Sequence, residues 1–507
     1  MTVTASSSSP VDYPPGPTSK PPLGLFINFL RDPLSVLDNI SQKYGDMSHF
    51  KFGKQNIYLI NHPDYIKDVL VTYNGNFIKS RGLQLAKQVL GKGLLTSEGE
   101  LHHKQRQLVQ PLFQSDQITK YANIMTDYTL RMSNRWRESG VIDIHEEFMQ
   151  LTLSIVSKAF FNVDIEEVET KEIGEYVTTL IEYFNRTRIP FAKAIEKLPL
   201  PSNIRFHHAK KQLDAIIYRI IDKHRTGMTT TNNNNTSDDY PNNDTGSNNL
   251  NEEKDQHKEG YNHKDLISLL LQGETDAFIS PMNEKSKFHN NSNTFKQRLV
   301  RDNVATIFLA GHETVANALT WTFYLLSQNP KEEELLQQEI DSVLGDSSNE
   351  DSLPTIKDIS KLEYTERVLA ESMRIYPPAW AIGRQAINNC EIGNYTIPAG
   401  SSILMSQYLM HRNPHYFPQP ERFDPERWTP QEKARRPRFS YFPFGGGPRS
   451  CIGESFAWME GILLIATIVK RWNMRHEPGH SVVLQPLVTL RPKYGMLMKV
   501  IKRKKFE

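Results

Sequence analysis

Residues 442–472 read FPFGGGPRSCIGESFAWMEGILLIATIVKRW, and the chemistry of the whole chain turns on how this stretch is understood. Gly445, Gly446 and Gly447 precede Cys451, and apolar residues at helical spacing follow it. The pattern places a cysteine in a tight loop that opens an amphipathic helix. A helix N-terminus favours negative charge, and glycines let backbone N–H groups approach a sulfur, so the arrangement suits a metal-bound thiolate. Arg449, two residues earlier, is placed to meet an anionic cofactor group. For a lone cysteine the plainer reading is a buried structural side chain. A phosphate loop does not fit: the G-x-G-x-x-G frame breaks at Ser450, no G-x-x-x-x-G-K-S/T occurs, and no clear strand leads in.

Composition narrows the partners. The chain has 507 residues, enough for one large domain or three ordinary ones. Its 60 Lys and Arg nearly balance 58 Asp and Glu, which argues against a nucleic-acid binder. Cys390 and Cys451 are the only cysteines, so there is no disulfide framework and no thiolate-rich zinc site, and a reducing cytoplasm suits the chain. The N-terminal MTVTASSSSPVDYPPGPTSKPPLG has neither the apolar stretch of a transmembrane anchor nor the order of a signal peptide. The expectation is a cytoplasmic protein.

Residues 1–22 read as a flexible Ser/Pro-rich tail and 23–507 as a single domain. Helical spacing runs from Asp32 to Tyr44, HFKFGKQNIYLINHP alternates around Gly53 as a hairpin does, and the pattern from about Asp64 to Arg225 is mainly helical. Residues 227–263, Asn-rich and almost without apolar side chains, read as a disordered insertion, with a shorter polar one at about 279–296. Gln297 to Gln328 is the longest helical candidate and is apolar on all sides. His312 and Glu313 at its centre, with Arg298 and Arg301 at its start, argue against a membrane span, so it belongs in the core. Its central polar residues then need a reason to be there.

Phe444, Gly447, Arg449, Cys451 and Gly453 fill every fixed place of F-x-x-G-x-R-x-C-x-G. That pattern resembles the haem-binding loop of the cytochrome P-450 superfamily, and three further motifs follow the family's order. AGHETV, residues 310–315, resembles the oxygen-activating segment A/G-G-x-D/E-T-S/T, with Val315 departing at the last place. Small Ala310 and Gly311 leave room over a haem, and Gly311 permits a local helix distortion. Glu313 and Thr314 are then the proton-supplying residues, the hydroxyl acting directly and the carboxylate through water. Taken alone, the two would read as a Thr bonded to its own helix and a Glu paired with a distant Arg. A zinc-protease reading fails because position 316 of H-E-x-x-H is Ala316.

ESMR, Glu371 to Arg374, resembles the family's E-x-x-R helix, and PERF, Pro420 to Phe423, its later P-x-R-F. The resemblance implies a structural triad of Glu371, Arg374 and Arg422. LHHKQRQLVQPLF, residues 101–113, is similar to the W-x-x-x-R helix, with His102 in the Trp place and Arg106 retained. By the same resemblance Arg106, Arg384 and Arg449 grip the haem propionates, with His102 and Phe444 also at the cofactor and Lys79 as a further candidate.

The family implies a mainly α, triangular helical domain with a small β-sheet region, holding haem b through Cys451 as the metal ligand, in a soluble prokaryotic-type member. It implies a monooxygenase that inserts one atom of dioxygen into an apolar fatty acid, carotenoid or terpenoid-like substrate. Electrons are expected from a separate ferredoxin or flavodoxin-type donor with its reductase, because the chain ends soon after the cysteine helix. Lys433, Arg435, Arg436 and Arg438 are candidates for docking that donor, and the enzyme is expected to be a monomer. Pocket-lining candidates are Arg81 to Leu94, Thr187 to Asn203, the turn around Ala310, Ala379 to Ile382 and Leu487 to Thr489. A peroxide-driven or isomerising relative, a haem sensor or electron carrier, and a helical scaffold remain as alternatives.

Overall fold

The computed structural model describes residues 13–18, 24–165, 167–186, 198–234, 265–272, 292–345 and 352–503. Helices α1 (Gly24–Arg31) and α2 (Pro33–Tyr44) lead in. Asp32 starts α2 by accepting the Ser35 N–H at 3.1 Å, and Pro33, which has no N–H to satisfy, occupies the first turn. The hairpin follows as β1 (Met47–Phe52) and β2 (Gln55–Ile60), paired Met47 to Ile60 through Phe52 to Gln55, with Gly53 in the turn. After β3 (Phe77–Lys79) come α3 (Gly99–Val109), α4 (Ser115–Ser133), β4 (Val141–Asp143), α5 (Ile144–Phe161), α6 (Glu167–Arg186), α7 (Pro201–Asn234) and α8 (Leu266–Gln272).

The long core helix is α9 (Ser292–Gln328), followed by α10 (Pro330–Leu344), α11 (Glu363–Ile375), β5 (Ile382–Ala386), β6 (Ser402–Met405) and α12 (Glu454–Val469). The last strands are β7 (Trp472–His476), β8 (Leu490–Pro492) and β9 (Leu497–Lys502). The main sheet has the order β1-β2-β6-β5-β3, with β2 and β6 parallel. It carries its own apolar core, while the larger core is helical and is built around α4, α5, α9, α11 and α12.

α9 is central because it has apolar partners on every side. Phe161 of α5 stacks on its Phe308 at 4.6 Å, and the Thr152 hydroxyl donates to the His312 carbonyl at 3.0 Å. The helix runs unbroken through Gly311. A Cβ at Gly311 would lie 2.9 Å from Val156, so glycine serves the close approach of α5 to α9.

Three expectations need correction. α12 begins at Glu454, not at the cysteine, and is not amphipathic: residues 459–469 are buried, because the helix is packed between α4 and α11. α7 extends through Asn234, so residues 227–234 of the expected insertion are helical, since adding residues to an existing helix costs little beside nucleating one. α9 likewise starts at Ser292, inside the second polar stretch. Residues 235–264 of the first insertion and 273–291, which hold most of the second, lie outside the described residues, as do 1–12 and 19–22 of the expected tail.

Candidate active site

Cys451 lies between a 3-10 turn, Gly447–Arg449, and α12. Its N–H donates to the Phe444 carbonyl at 2.9 Å, which closes the loop. Gly447 has φ +69°, and a Cβ there would stand 1.9 Å from the Leu70 carbonyl oxygen, so the position accepts only glycine. Burial is the leading cause that pushes the Cys451 thiol above its ordinary range; the Gly453 N–H and the Arg106 charge oppose it. Cys451 is nonetheless exposed by surface area. A thiol crowded by protein in a residue that still has accessible surface is open on one side only.

The middle of α9 behaves the same way. Residues 299–308 are all buried, then Ala310 is exposed and Gly311 and Thr314 are half-buried, before burial resumes at Val315. Leu309, Phe444 and Ile452, beside these openings, all pack on the one helical core. The Phe444 ring lies 5.8 Å from Trp458.

Glu313 and Thr314 do not act from one face, since adjacent helix positions diverge by about 100°. The Thr314 hydroxyl donates to the Ala310 carbonyl at 2.9 Å, leaving its lone pairs free to accept. Glu313 is buried, accepts the Thr489 hydroxyl at 2.5 Å, and is pushed above the usual carboxylate range by burial, with the Arg491 charge opposing. The Trp380 indole N–H donates to the Leu487 carbonyl at 3.0 Å, so the segments at 379–382 and 487–489 meet. Residues 187–197 of the pocket candidates lie outside the described residues.

A cationic cluster surrounds His102. Arg106 donates to the Ser450 carbonyl at 2.8 Å, and Arg449 pairs with Glu98 at 2.7 Å while donating to the Phe77 carbonyl. Lys79 stands opposite Arg384 in the β3–β5 register, and its Nζ donates to the Leu94 and Ser97 carbonyls at 2.9 and 2.7 Å. Burial, then the Lys79, Arg449 and Arg106 charges, lower His102 to about 4. Burial is also the leading cause that lowers Lys79 to about 7 and Arg384 to about 10, with Arg449 adding to both.

These residues fit haem on two counts. Lys79, Arg106 and Arg449 act on His102, and Glu98 is the carboxylate that acts on Lys79, Arg384 and Arg449, leaving an excess of positive charge that two propionates would relieve. The Cys451 side chain, at the end of the glycine loop and accessible, is the donor that an already chelated metal would find here.

The triad requires a correction. Glu371 and Arg374 are fully buried and doubly bonded, Nε to Oε2 at 2.8 Å and Nη2 to Oε1 at 2.9 Å. Arg422 is exposed, and only its backbone carbonyl takes part, accepting from Arg374 at 3.2 Å. The third guanidinium is Arg427, with Nε 3.3 Å from Glu371 Oε1, beside Trp428, whose indole donates to Oε2 at 2.9 Å. PERF is followed at once by DPERW, so the sequence offers two P-E-R frames, and only burial separates them.

Sequence reasoning missed Glu98 and Arg491 and gave Thr489 only as pocket lining, not as the partner of Glu313, because these residues lie in no shared motif with the ones they serve. Of the basic loop, Lys433, Arg435 and Arg438 are exposed, with Arg435 paired to Glu432. Arg436 is instead structural: it stacks on Phe417 and Trp428, both at 4.9 Å, and donates to the Arg427 carbonyl. No helix among the described residues is long and apolar enough to cross a membrane.

Comparison with known proteins gives a match to the family model for cytochrome P-450 over residues 14–499. Cyclooctatin synthase of Streptomyces melanosporofaciens is 33% identical, over 94% of this chain and 92% of its own. Cyclooctat-9-en-7-ol 5-monooxygenase of the same organism is 32% identical, over 94% of each chain. The protein LUTEIN DEFICIENT 5, chloroplastic, of Arabidopsis thaliana is 30% identical, over 91% of this chain and 73% of its own.

Proposed function

Because the chain belongs to the cytochrome P-450 family and is a haem-thiolate monooxygenase, we propose that Cys451 is its iron ligand and a terpenoid- or carotenoid-like molecule its substrate. One atom of dioxygen enters a C–H or C=C bond of the substrate and the other leaves as water, with two electrons and two protons consumed. Haem supplies the oxidising power, and a sulfur ligand favours O–O cleavage. The protein's own residues hold, orient and shield. Arg106, Arg384 and Arg449, with His102, hold the propionates, and the Gly453 N–H stabilises charge on the Cys451 sulfur. Glu313 and Thr314 manage protons on the α9 side, and Glu371, Arg374 and Arg427 keep the fold beneath the cysteine loop rigid.

The single observation that carries the site assignment is Cys451, set at the end of the glycine loop, crowded by protein and still accessible. The substrate class rests on the relatives: one is named for a cyclic, mostly hydrocarbon alcohol, cyclooctat-9-en-7-ol. Exposed Lys433, Arg435 and Arg438, just before the cysteine loop, support a separate acidic donor of the ferredoxin or flavodoxin type. Two cysteines without a disulfide support a cytoplasmic setting.

The reduced, carbon-monoxide-treated protein should show the red-shifted Soret band of sulfur ligation, and Cys451→Ser should abolish it. An unchanged band in that variant would refute the ligand assignment. Cyclic terpenoid alcohols, carotenoids and fatty acids should be titrated in parallel, and a Soret shift confined to fatty acids would overturn the substrate class.

A further inference from the structure

Glu313 is held by a hydrogen-bond chain whose polarity is fixed from one end. The Thr489 hydroxyl donates to Glu313 Oε1. Asn317, four residues further along α9, presents Nδ2 to Thr489 Oγ1 at 3.3 Å. His145, in the first turn of α5, places Nε2 3.2 Å from Asn317 Oδ1. Glu313, Asn317 and Thr489 are 1%, 0% and 6% exposed, so water does not compete freely for these bonds.

A carboxylate only accepts, so the single Thr489 proton goes to Glu313. The Thr489 oxygen must then accept from the Asn317 amide, which turns the Asn317 carbonyl toward His145 and requires a proton on His145 Nε2. With Asn317 oriented as it is, a proton on Oε1 would leave the Thr489 hydroxyl without an acceptor, because Asn317 turns only its N–H toward it.

We infer that Thr489 is a positioning residue for Glu313: its hydroxyl commits Oε1 to accepting, so the proton Glu313 transfers is carried on Oε2. The inference rests on the reading of Glu313 as a proton source. The charged and titratable groups that act on this chain are Arg491 from β8, His145 from α5, and Asp143, which caps α5. Arg491 is 5% exposed, and its Nε and Nη2 have no hydrogen-bond partner among the described residues.

The test is an infrared titration of the full-length, haem-loaded protein, following the Glu313 carboxyl band, identified by its loss in Glu313→Gln. Thr489→Val removes a donor to the charged form and should raise the titration midpoint by about one pH unit, a tenfold change in dissociation. Thr489→Ser should restore it. The pH profile of product formed per electron should move in the same direction in Thr489→Val and return in Thr489→Ser. An unmoved midpoint in Thr489→Val, or no rescue by serine, overturns the inference even if Glu313→Gln lowers the yield. If Glu313→Gln leaves the yield per electron unchanged at every pH while Thr489→Val still moves the midpoint, the proton-source reading falls instead.

Discussion

Substituting the arginines around Glu371 one at a time should rank them as Arg374, then Arg427, then Arg422. The Glu371 carboxylate is fully buried and gathers the Arg374 Nε and Nη2, the Trp428 indole, the Asp424 N–H at 3.0 Å and the Arg427 guanidinium. Arg374→Ala strips two of these and also strands the His411 and Arg422 carbonyls, leaving a buried, largely uncompensated charge; the loss should be about 3–5 kcal/mol. Arg427→Ala leaves the other donors to Glu371 in place and removes one long charged contact and the bond to the Gln419 carbonyl at 3.0 Å, so about 1–2 kcal/mol is expected. Arg422→Ala keeps the only atom that residue contributes, its carbonyl, and should cost about 0.5 kcal/mol or less. The assay is urea unfolding at equal haem saturation, followed by far-ultraviolet circular dichroism and by the Soret band, with coincident transitions required before free energies are compared. If Arg422→Ala proves as damaging as Arg427→Ala, the assignment of the third guanidinium by burial is refuted.

Thr314→Ala should keep haem binding but divert reducing equivalents to peroxide; an unchanged product yield per electron would count against its role in proton handling. Glu460 is fully buried, its two carboxyl oxygens have no partner among the described residues, and burial holds its carboxyl well above the usual range. The folded state therefore binds a proton that the unfolded state releases, and stability should fall as pH rises above the ordinary glutamate value, by up to about 1.4 kcal/mol per pH unit. Glu460→Gln should remove that slope, which unfolding at a series of pH values will show. Lys79, lowered to about 7, has the opposite sign: haem-free protein should gain stability as pH rises above that value, and Lys79→Met should abolish the gain. Reversing Lys433 and Arg438 to glutamate should slow reduction by an acidic donor about tenfold at low salt and little at high salt, measured by stopped flow.

The helical architecture was legible because it is written locally. The Asp32–Tyr44 helix, the hairpin turning at Gly53 and the apolar α9 each depend on residues a few places apart, and their spacing alone fixes them. The motif residues were legible through resemblance, but their surroundings were not. Arg422 and Arg427 occupy equivalent local frames and differ only in which one the chain buries against Glu371. Glu313 meets Thr489 at a sequence separation of 176, and Arg449 meets Glu98 at one of 351. Contacts that close such long loops leave no periodic trace in one sequence. The amphipathic expectation for α12 failed for a related reason: its polar residues are few, and packing on both sides, not composition, decided its burial.

The protonation equilibria around the site form a pattern with one physical meaning. Burial raises the Cys451 thiol and lowers His102, Lys79 and Arg384, so in each case it disfavours the charged form. Isolated shifts of this kind occur in ordinary cores, but here the cations sit together around His102 with Glu98 as the carboxylate acting on them. A chain that merely folded would gain by neutralising such a cluster. On the proposed reading, one that keeps it is arranged for a ligand of opposite charge: a bound metal would hold Cys451 deprotonated, and two carboxylates would answer the arginines. The unfavourable local electrostatics would then be the complement of the cofactor's own charge distribution, and binding it should couple directly to the stability of the loop that carries Cys451.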